Sequence, residues 1–378
     1  MIDDIYLDYN ATTPLDPQVV DAILPYLISE FGNPSSSHSF GRKAKQAVET
    51  ARGQIAELLK CRADEIYFTS GGTESNNLAI QGYAHAHKSK GRHIITSSVE
   101  HPAVLEVCKS LQRDGFKVSV LPVDQNGSVT FADVEKSIRE DTILISIMHA
   151  NNEVGTIQPI RELAEIAHSH NVMFHTDAAQ SVGKIAVDVK ELGVDLLSIA
   201  GHKLYAPKGI GALYIRDGIQ IAKQMHGANH ERNVRPGTEN VAGIVGLGTA
   251  SHLVYCHLKD YMQHYASTRD RLEKLLTDKR IDIKINGDIE NRLPNTSSIS
   301  FLGISALELM NAMPDVAVSA GSACHADRTA VSHVLQAMKV SDAFALGTIR
   351  FSTGRGTSVA EIQQIVDGLS SALKALNY

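Results

Sequence analysis

TILISIMHANNEVGTIQPIRELAEIAHSHNVMFHTDAAQ, residues 142–180, carries the pattern that decides the fold. Thr142 to Met148 is a continuous apolar run of strand length, which suits a strand buried on both faces. Ile160, Leu163, Ala164, Ile166 and Ala167 then recur at helical spacing, and Val172 to His175 resumes as strand. Working outward, Glu65 to Thr69 (EIYFT) reads as a strand followed by Gly-Gly and a helical stretch from Glu74. His93 to Thr96, Lys117 to Leu121, Asp195 to Ile199 and Gly211 to Ile215 are further strands. Repeated β-α-β order predicts an α/β fold: a mostly parallel sheet covered by helices on both faces. The pattern changes near residue 255. Helical periodicity from His257 to Leu276 leads to shorter strands at Ile281 to Ile285 and Ser297 to Phe301, and an amphipathic stretch from Val359 to Leu376 closes the chain. The expected division is a large domain over 15–255 and a smaller α+β domain formed by 1–14 and 256–378.

Composition removes several classes of function. With 378 residues, 43% hydrophobic and 21% charged, the chain is globular and of two- or three-domain size rather than disordered. Lys and Arg number 36 against 42 Asp and Glu, a net charge of −6, so there is no basic footprint for nucleic acid or an anionic membrane. No apolar run approaches the ~18 residues of a membrane span. The N-terminus, with Asp3, Asp4 and Asp8, lacks the charged and apolar regions of a signal peptide. A soluble, cytoplasmic protein is expected. The four cysteines, Cys61, Cys108, Cys256 and Cys324, are isolated, so neither a CxxC metal site nor a disulfide is predicted. Cys61, Cys108 and Cys256 read as small buried hydrophobes; Cys324 is open.

Ligands of open parallel sheets bind beyond the carboxyl ends of the strands, and polar residues gather there. Thr69-Ser-Gly-Gly-Thr-Glu-Ser75 is a strand, a glycine turn and a helix start. Gly71, Gly72 and the Thr73 hydroxyl suit a phosphate at a helix N-terminus, although an ordinary tight turn fits the same residues. Asp177 ends an apolar strand with Gln180 in the next turn; it is either a helix N-cap or a carboxylate for a protonated heterocyclic nitrogen. Ser198-Ile-Ala-Gly-His-Lys-Leu-Tyr-Ala-Pro-Lys-Gly209 ends the next strand with His202 and Lys203, one α/β unit beyond Asp177. A lysine there can form a Schiff base. A Schiff-base lysine, an acid for a pyridinium nitrogen and a phosphate nest together fit pyridoxal 5'-phosphate.

The chain resembles the cysteine desulfurase family, within the class V aminotransferase group of fold-type I pyridoxal-phosphate enzymes. Ten segments in order carry the resemblance: LDYNATTP (Leu7–Pro14), GNPSSSHSFGRKA (Gly32–Ala44), FTSGGTESNN (Phe68–Asn77), SSVEHPAV (Ser97–Val104), ANNEVG (Ala150–Gly155), HTDAAQ (His175–Gln180), GHKLYAPKG (Gly201–Gly209), RPGTEN (Arg235–Asn240), SAGSACH (Ser319–His325) and IRFSTGR (Ile349–Arg355). The resemblance implies that Lys203 carries the cofactor in Schiff-base linkage, Asp177 pairs with the ring nitrogen, Gln180 faces the ring phenolate and His101 stacks on the ring. Thr73, Gly72 and His202 hold the phosphate, and Thr238 reaches the phosphate of a second subunit, which implies a homodimer. Asn152 and Arg350 bind the substrate carboxylate, and Cys324 accepts sulfur. One position departs from the pattern. Similar enzymes have Ser before Gly-His-Lys, where this chain has Ala200, so one phosphate hydrogen bond is expected to be missing or to come from Ser198 or a water.

The reaction so implied converts L-cysteine to L-alanine. Lys203 removes the Cα proton, His101 shuttles protons and the Cys324 thiolate takes the sulfur as a persulfide for an acceptor such as an iron–sulfur scaffold protein. The small residues of Ser319-Ala-Gly-Ser-Ala-Cys suit a mobile loop for that cysteine. Two other readings stand beside this one. A selenocysteine lyase acting on L-selenocysteine shares the cofactor residues, the Cys324-His325 pair and a non-Ser residue before Gly-His-Lys. A non-catalytic sulfur-transfer scaffold would retain the fold alone.

Overall fold

The computed structural model describes residues 4–320 and 331–376. Among them the strands are β1 (Ile5–Tyr6), β2 (Ile66–Thr69), β3 (His93–Ser97), β4 (Lys117–Leu121), β5 (Thr142–Ser146), β6 (Met173–Asp177), β7 (Leu196–Ala200), β8 (Gly211–Ile215), β9 (Ile283–Asn286), β10 (Thr296–Phe301), β11 (Val316–Ala317) and β12 (Thr348–Ser352). Seven of them form one sheet in the order β2-β8-β7-β6-β5-β3-β4. Neighbours from β7 across to β4 are parallel, as the β-α-β pattern predicts. The exception is β8, which runs antiparallel to both β2 and β7. Only a short turn region separates β7 from β8, too short for the crossover of a dozen or more residues that a parallel return requires. A second sheet, β12-β10-β9, is antiparallel, and β1 pairs with β11.

The buried strands explain the continuous apolar runs. Every residue of β3, β5, β7 and β8 is buried, because helices pack on both faces of the sheet. One face rests on the 21-residue helix Ser39–Leu59 and the first part of the long helix Val241–Asp278, through Ile55, Leu59, Leu247 and Val254. The other rests on helices Gly72–His87 and Pro102–Arg113 through Leu78, Tyr83, Val107 and Leu111. Helix starts carry the expected caps. Asp16 accepts from the Gln18 amide just before Pro17, and Ser358 with Glu361 forms a capping box.

The change of pattern near residue 255 falls inside the helix Val241–Asp278, which runs on without a break. Its Leu272 and Leu276 belong to a separate core with Ile5, Leu7, Ile299, Phe351 and Ile365. That second core, which includes the N-terminal strand, supports the proposed grouping of 1–14 with the C-terminal part. The same helix is the one among the described residues long and apolar enough to cross a membrane, and half of its most apolar window is buried within the protein. Cysteine burial departs from expectation in one case. Cys108 is buried and Cys61 half-buried, with burial pushing both thiols up to about 12. Cys256 is exposed, its Sγ 3.6 Å from His252 Nε2, because it sits on the outward face of the long helix rather than in a core.

The parallel sheet also buries histidines. His175, between Ser146 Oγ (2.8 Å) and Ser198 Oγ (3.0 Å), is pushed by burial down to about 3, and His149 down to about 4. The unfolded chain protonates such rings near pH 6.5. Their contribution to stability is therefore full above pH 6.5 and is lost as pH falls through the folded values, by up to about 1.4 kcal/mol per pH unit per ring. The buried carboxyls Glu100 and Glu153, raised by burial to about 8 and about 7, act oppositely. Their contribution is full below the ordinary carboxyl value and is lost as pH rises toward 7–8. The two slopes offset each other in the wild type, so a variant isolates the imidazole. His175→Gln, which keeps hydrogen-bonding capacity but does not titrate, is expected to lose less stability than wild type between pH 6.5 and pH 4 in denaturant melts. Parallel pH profiles for the two proteins would contradict this.

Candidate active site

Five strand ends, the N-terminal segment, His333 and Arg350 converge on one cavity of ≈ 330 Å³. At the end of β2 the backbone turns through Ser70 and Gly71 into the helix Gly72–His87. Gly71 sits at φ 151°, and a Cβ on Gly211 would lie 2.7 Å from the Gly71 Cα, so this turn packs backbone on backbone. Gly72 and Thr73 line the cavity at the positive end of that helix. Ala200, the last residue of β7, lies opposite: a Cβ on Gly72 would be 3.2 Å from the Ala200 Cβ.

At the end of β6 Asp177 is buried and lines the same cavity. Its Oδ2 accepts from Asn76 Nδ2 at 2.7 Å, and its Oδ1 accepts from the Ala179 amide at 2.9 Å. The Ala179 bond is a turn-type contact and no helix begins there, so the N-cap alternative does not describe this carboxylate. Beyond β7 a single 3₁₀ turn, Gly201–Lys203, carries His202 and Lys203 to the cavity wall. Lys203 Nζ donates to the carbonyls of Asn10 and Ala11, the latter at 2.8 Å. His202 Nδ1 lies 3.2 Å from Thr12 Oγ1. Burial, with Lys203, Lys208 and Lys184 adding to it, pushes His202 down to about 4, so the ring is neutral.

His101 ends the segment after β3 and caps the helix Pro102–Arg113, its Nδ1 accepting from the Ala103 amide at 3.1 Å. That bond assigns the proton of the neutral ring to Nε2. Burial lowers the His101 pKa; Asp177 opposes this, while Lys203 and His333 reinforce it. On the far side Arg350 of β12 donates from Nη1 to the Asn152 carbonyl (2.9 Å) and from Nη2 to Asp8 Oδ1 (2.6 Å) and Ser319 Oγ (3.0 Å). Asn152, Gln180 and Arg350 all line the cavity.

Nine of the residues singled out from the sequence thus share one cavity: Gly72, Thr73, His101, Asn152, Asp177, Gln180, His202, Lys203 and Arg350. Ser198 does not join them. It is fully buried in β7 with its hydroxyl on His175 Nε2: it shares a face of the strand with Ala200 but lies two residues, about 6–7 Å, short of the strand end that meets the cavity. Thr238 is exposed and lies outside the cavity. Cys324 lies outside the described residues. Several groups at the site escaped the sequence reading. Asn10 and Glu153 line the cavity and sit inside quoted motifs, which were the available signal. Glu153 accepts from Ser332 Oγ, and His333 Nε2 lies 3.0 Å from the Glu100 carbonyl oxygen. Lys184 and His333 had no motif to mark them.

The donor set suits a phosphorylated pyridine aldehyde. A helix N-terminus with a hydroxyl would hold the phosphate, a buried carboxylate would take the ring nitrogen and an amine the aldehyde, and among the described residues Asn76 Oδ1 is a buried acceptor with no partner.

Residues 5–365 match the class-V aminotransferase model, and the chain belongs to that family of pyridoxal-phosphate-dependent enzymes. Its relatives narrow the class to the cysteine desulfurases. The chain is 49% identical over 99% of its length, and 95% of the relative's, to the cysteine desulfurase IscS of Dictyoglomus turgidum. It is 45% identical to the cysteine desulfurase IscS of Vibrio vulnificus over 98% of this chain and 93% of that one. Among solved structures, a NifS-like protein superposes with a TM-score of 0.93 at 37% identity, covering 98% of this chain and 99% of the other. SspA in complex with cysteine superposes at 0.82 with 38% identity, covering 93% and 99%.

Ala200 gives a prediction at this point. A serine hydroxyl at 200 would sit beside Gly72 at the helix N-terminus, and a hydrogen bond to a charged group contributes about 1.5–3 kcal/mol. Ala200→Ser is expected to bind pyridoxal phosphate roughly tenfold tighter, read by reconstituting apoprotein and following visible absorbance. Equal affinity would show that the phosphate is already fully satisfied.

Proposed function

We propose that this chain is a pyridoxal-phosphate-dependent cysteine desulfurase that converts L-cysteine to L-alanine and holds the sulfur on Cys324 as a persulfide for an acceptor protein. The observation that carries this reading is the convergence of Lys203, Asp177, His101 and Arg350 on one cavity, in a chain nearly half identical to cysteine desulfurases. Bound at Lys203, the cofactor supplies an electron sink for negative charge at the substrate Cα.

The chain's own residues do the rest. Arg350 and Asn152 receive the substrate carboxylate and fix which way the Cα–H points. Lys203, on the cavity wall, takes that proton and returns it. Asp177, held by Asn76 and the Ala179 amide, keeps a carboxylate against the ring nitrogen. Neutral His101, with its proton on Nε2, can hand a proton across the cavity without first losing a charge. The Cys324 thiolate attacks the substrate sulfur: a sulfur–sulfur bond forms, the carbon–sulfur bond breaks, and its electron pair passes to the carbon fragment that is protonated to alanine.

A homodimer is part of the proposal. Thr238 is exposed and is not among its own cavity's lining residues, in keeping with service to a second subunit's phosphate. Ile28 and Phe31, 69% and 74% exposed, extend an apolar patch with Leu24, Leu27 and Phe40 that a second copy would cover. A reducing compartment such as the cytoplasm would keep the Cys324 thiol free. The acceptor, such as an iron–sulfur scaffold protein, would collect the sulfur there.

The test is alanine formation from L-cysteine with thiol reductant present. Wild type is expected to turn over. Cys324→Ala is expected to lose alanine formation at least ~100-fold while keeping the visible absorbance of bound cofactor. Unchanged turnover in that variant would remove Cys324 from the mechanism. Faster turnover of L-selenocysteine on the same preparation, independent of Cys324, would favour the lyase.

A further inference from the structure

Lys184 is a buried group beside the site to which the proposed reaction gives no task. It lies seven residues after Asp177 in the turn region beyond β6, and its side chain is enclosed in the protein, 4% exposed. Among the described residues no carboxylate pairs with it. Nζ donates instead to two side-chain amides, Gln180 Oε1 at 2.5 Å and Asn10 Oδ1 at 2.8 Å.

We propose that Lys184 is a positioning residue that fixes the direction of two amides, turning the NH₂ of Gln180 toward the cofactor ring and the NH₂ of Asn10 toward the substrate-carboxylate loop. The proposal rests on the reading that the ring oxygen of pyridoxal phosphate faces Gln180. An amide side chain has a donor end and an acceptor end of nearly equal shape, so neighbours must choose between them. A lysine amine held against two oxygens makes the choice at Gln180. Oε1 turns to Nζ and Nε2 turns away, spending one hydrogen on the Asn10 carbonyl at 3.0 Å and leaving the other for an acceptor in the cavity. The same choice is made at Asn10. Its Oδ1 receives both Lys184 Nζ and Asn295 Nδ2 (3.0 Å), so Nδ2 donates to Thr296 Oγ1 (2.8 Å) and the Asn152 carbonyl (3.2 Å). The Asn152 carbonyl is also a partner of Arg350. One amine therefore links the residue expected at the ring oxygen to the loop expected at the substrate carboxylate.

An aliphatic side chain of similar length would fill the space but take the amine away from both amide oxygens, leaving Gln180 directed by the Asn10 carbonyl alone and weakening the hold on Asn10. It would also remove a group that Lys203 and Arg350 face from the turn after β7 and from β12, and that His202 senses as well. Asp177, His101, Glu153 and His333 are the other charged and titratable groups that line the cavity among the described residues.

The experiment compares holoenzymes of wild type, Lys184→Met, Lys184→Gln, Gln180→Ala and Gln180→Ala/Lys184→Met by pH titration of the visible chromophore, together with kcat and KM. A donor to the ring oxygen lowers the proton affinity of the chromophore, so its loss raises the titration midpoint. Lys184→Met and Gln180→Ala are each expected to raise the midpoint by about one unit, a tenfold change in proton affinity. The double variant is expected to match Gln180→Ala alone, because Lys184 acts through Gln180. Lys184→Gln, which keeps an N–H donor, is expected to fall between wild type and Lys184→Met. If Lys184→Met fails to fold or to take up cofactor, the Lys184→Gln midpoint decides. A wild-type midpoint in the Lys184 variants beside a shifted Gln180→Ala, or additive shifts in the double variant, would overturn the proposal. A Gln180→Ala midpoint equal to wild type would instead overturn the placement of the ring.

Discussion

Lys203→Ala is expected to lose at least ~10³-fold in alanine formation while the folded chain keeps its sheet and its cavity. Two separate contributions disappear with the amine. Proton transfer by a positioned group is worth ~10²–10⁴-fold, and covalent attachment, which holds the cofactor in register with Asp177 and Thr73, is lost as well. The fold should tolerate the change. Lys203 Nζ donates to the carbonyls of Asn10 and Ala11, but the Asn10 carbonyl keeps a second donor in Gln180 Nε2. Borohydride treatment followed by mass spectrometry is expected to fix the cofactor to the wild-type chain and not to the variant. Turnover by Lys203→Ala within tenfold of wild type would remove this lysine from the chemistry and send the search to Lys184, the other lysine at this end of the sheet.

That two lysines stand so close, with opposite fates in the sequence reading, shows what a sequence exposes and what it hides. The sheet was legible because parallel strands buried on both faces must be apolar along their whole length, and β5 is the clearest case. Lys203 was legible because it ends such a strand one α/β unit beyond Asp177. The direction of β8 was not, because an apolar strand looks the same whichever way it runs. Ser198 was misplaced by its depth along the strand: it shares a face with Ala200 but stops two residues short of the strand end, against His175, and Ala200 holds the position at the cavity. Lys184 was hidden because its meaning lies in Asn10, 174 residues away, and a lysine in a turn looks solvated until that partner is known. The exposed Cys256 shows the converse, since a helix with two cores along its length leaves faces whose exposure periodicity alone does not assign.

Arg350→Ala is expected to raise KM for L-cysteine by about 100-fold and to lower stability as well, and the two effects have different origins. The guanidinium is 4% exposed and spans the gap between β12, the Asn152 loop and the N-terminal segment. Its fork matches a carboxylate, and charge-assisted hydrogen bonds of that kind contribute about 1.5–3 kcal/mol each, enough for two decades in KM. The stability loss comes from Asp8, 17% exposed, whose Oδ1 accepts from Nη2 at 2.6 Å and would be left without that cation. Stranding a buried charge costs up to about 3–5 kcal/mol, and the partial exposure of Asp8 places this site at the lower end. Because the origins differ, a second substitution separates them. Asp8→Asn in the Arg350→Ala background is expected to restore most of the melting temperature and none of the KM, since it removes the stranded charge without rebuilding the fork. Arg350→Lys is expected to keep stability nearer wild type and still raise KM roughly tenfold, because an ammonium supplies charge to Asp8 but not two parallel donors to a substrate. A wild-type KM in Arg350→Ala would place the substrate carboxylate elsewhere in the cavity. Recovery of KM by Asp8→Asn would mean that Asp8, not Arg350, governs entry of the carboxylate.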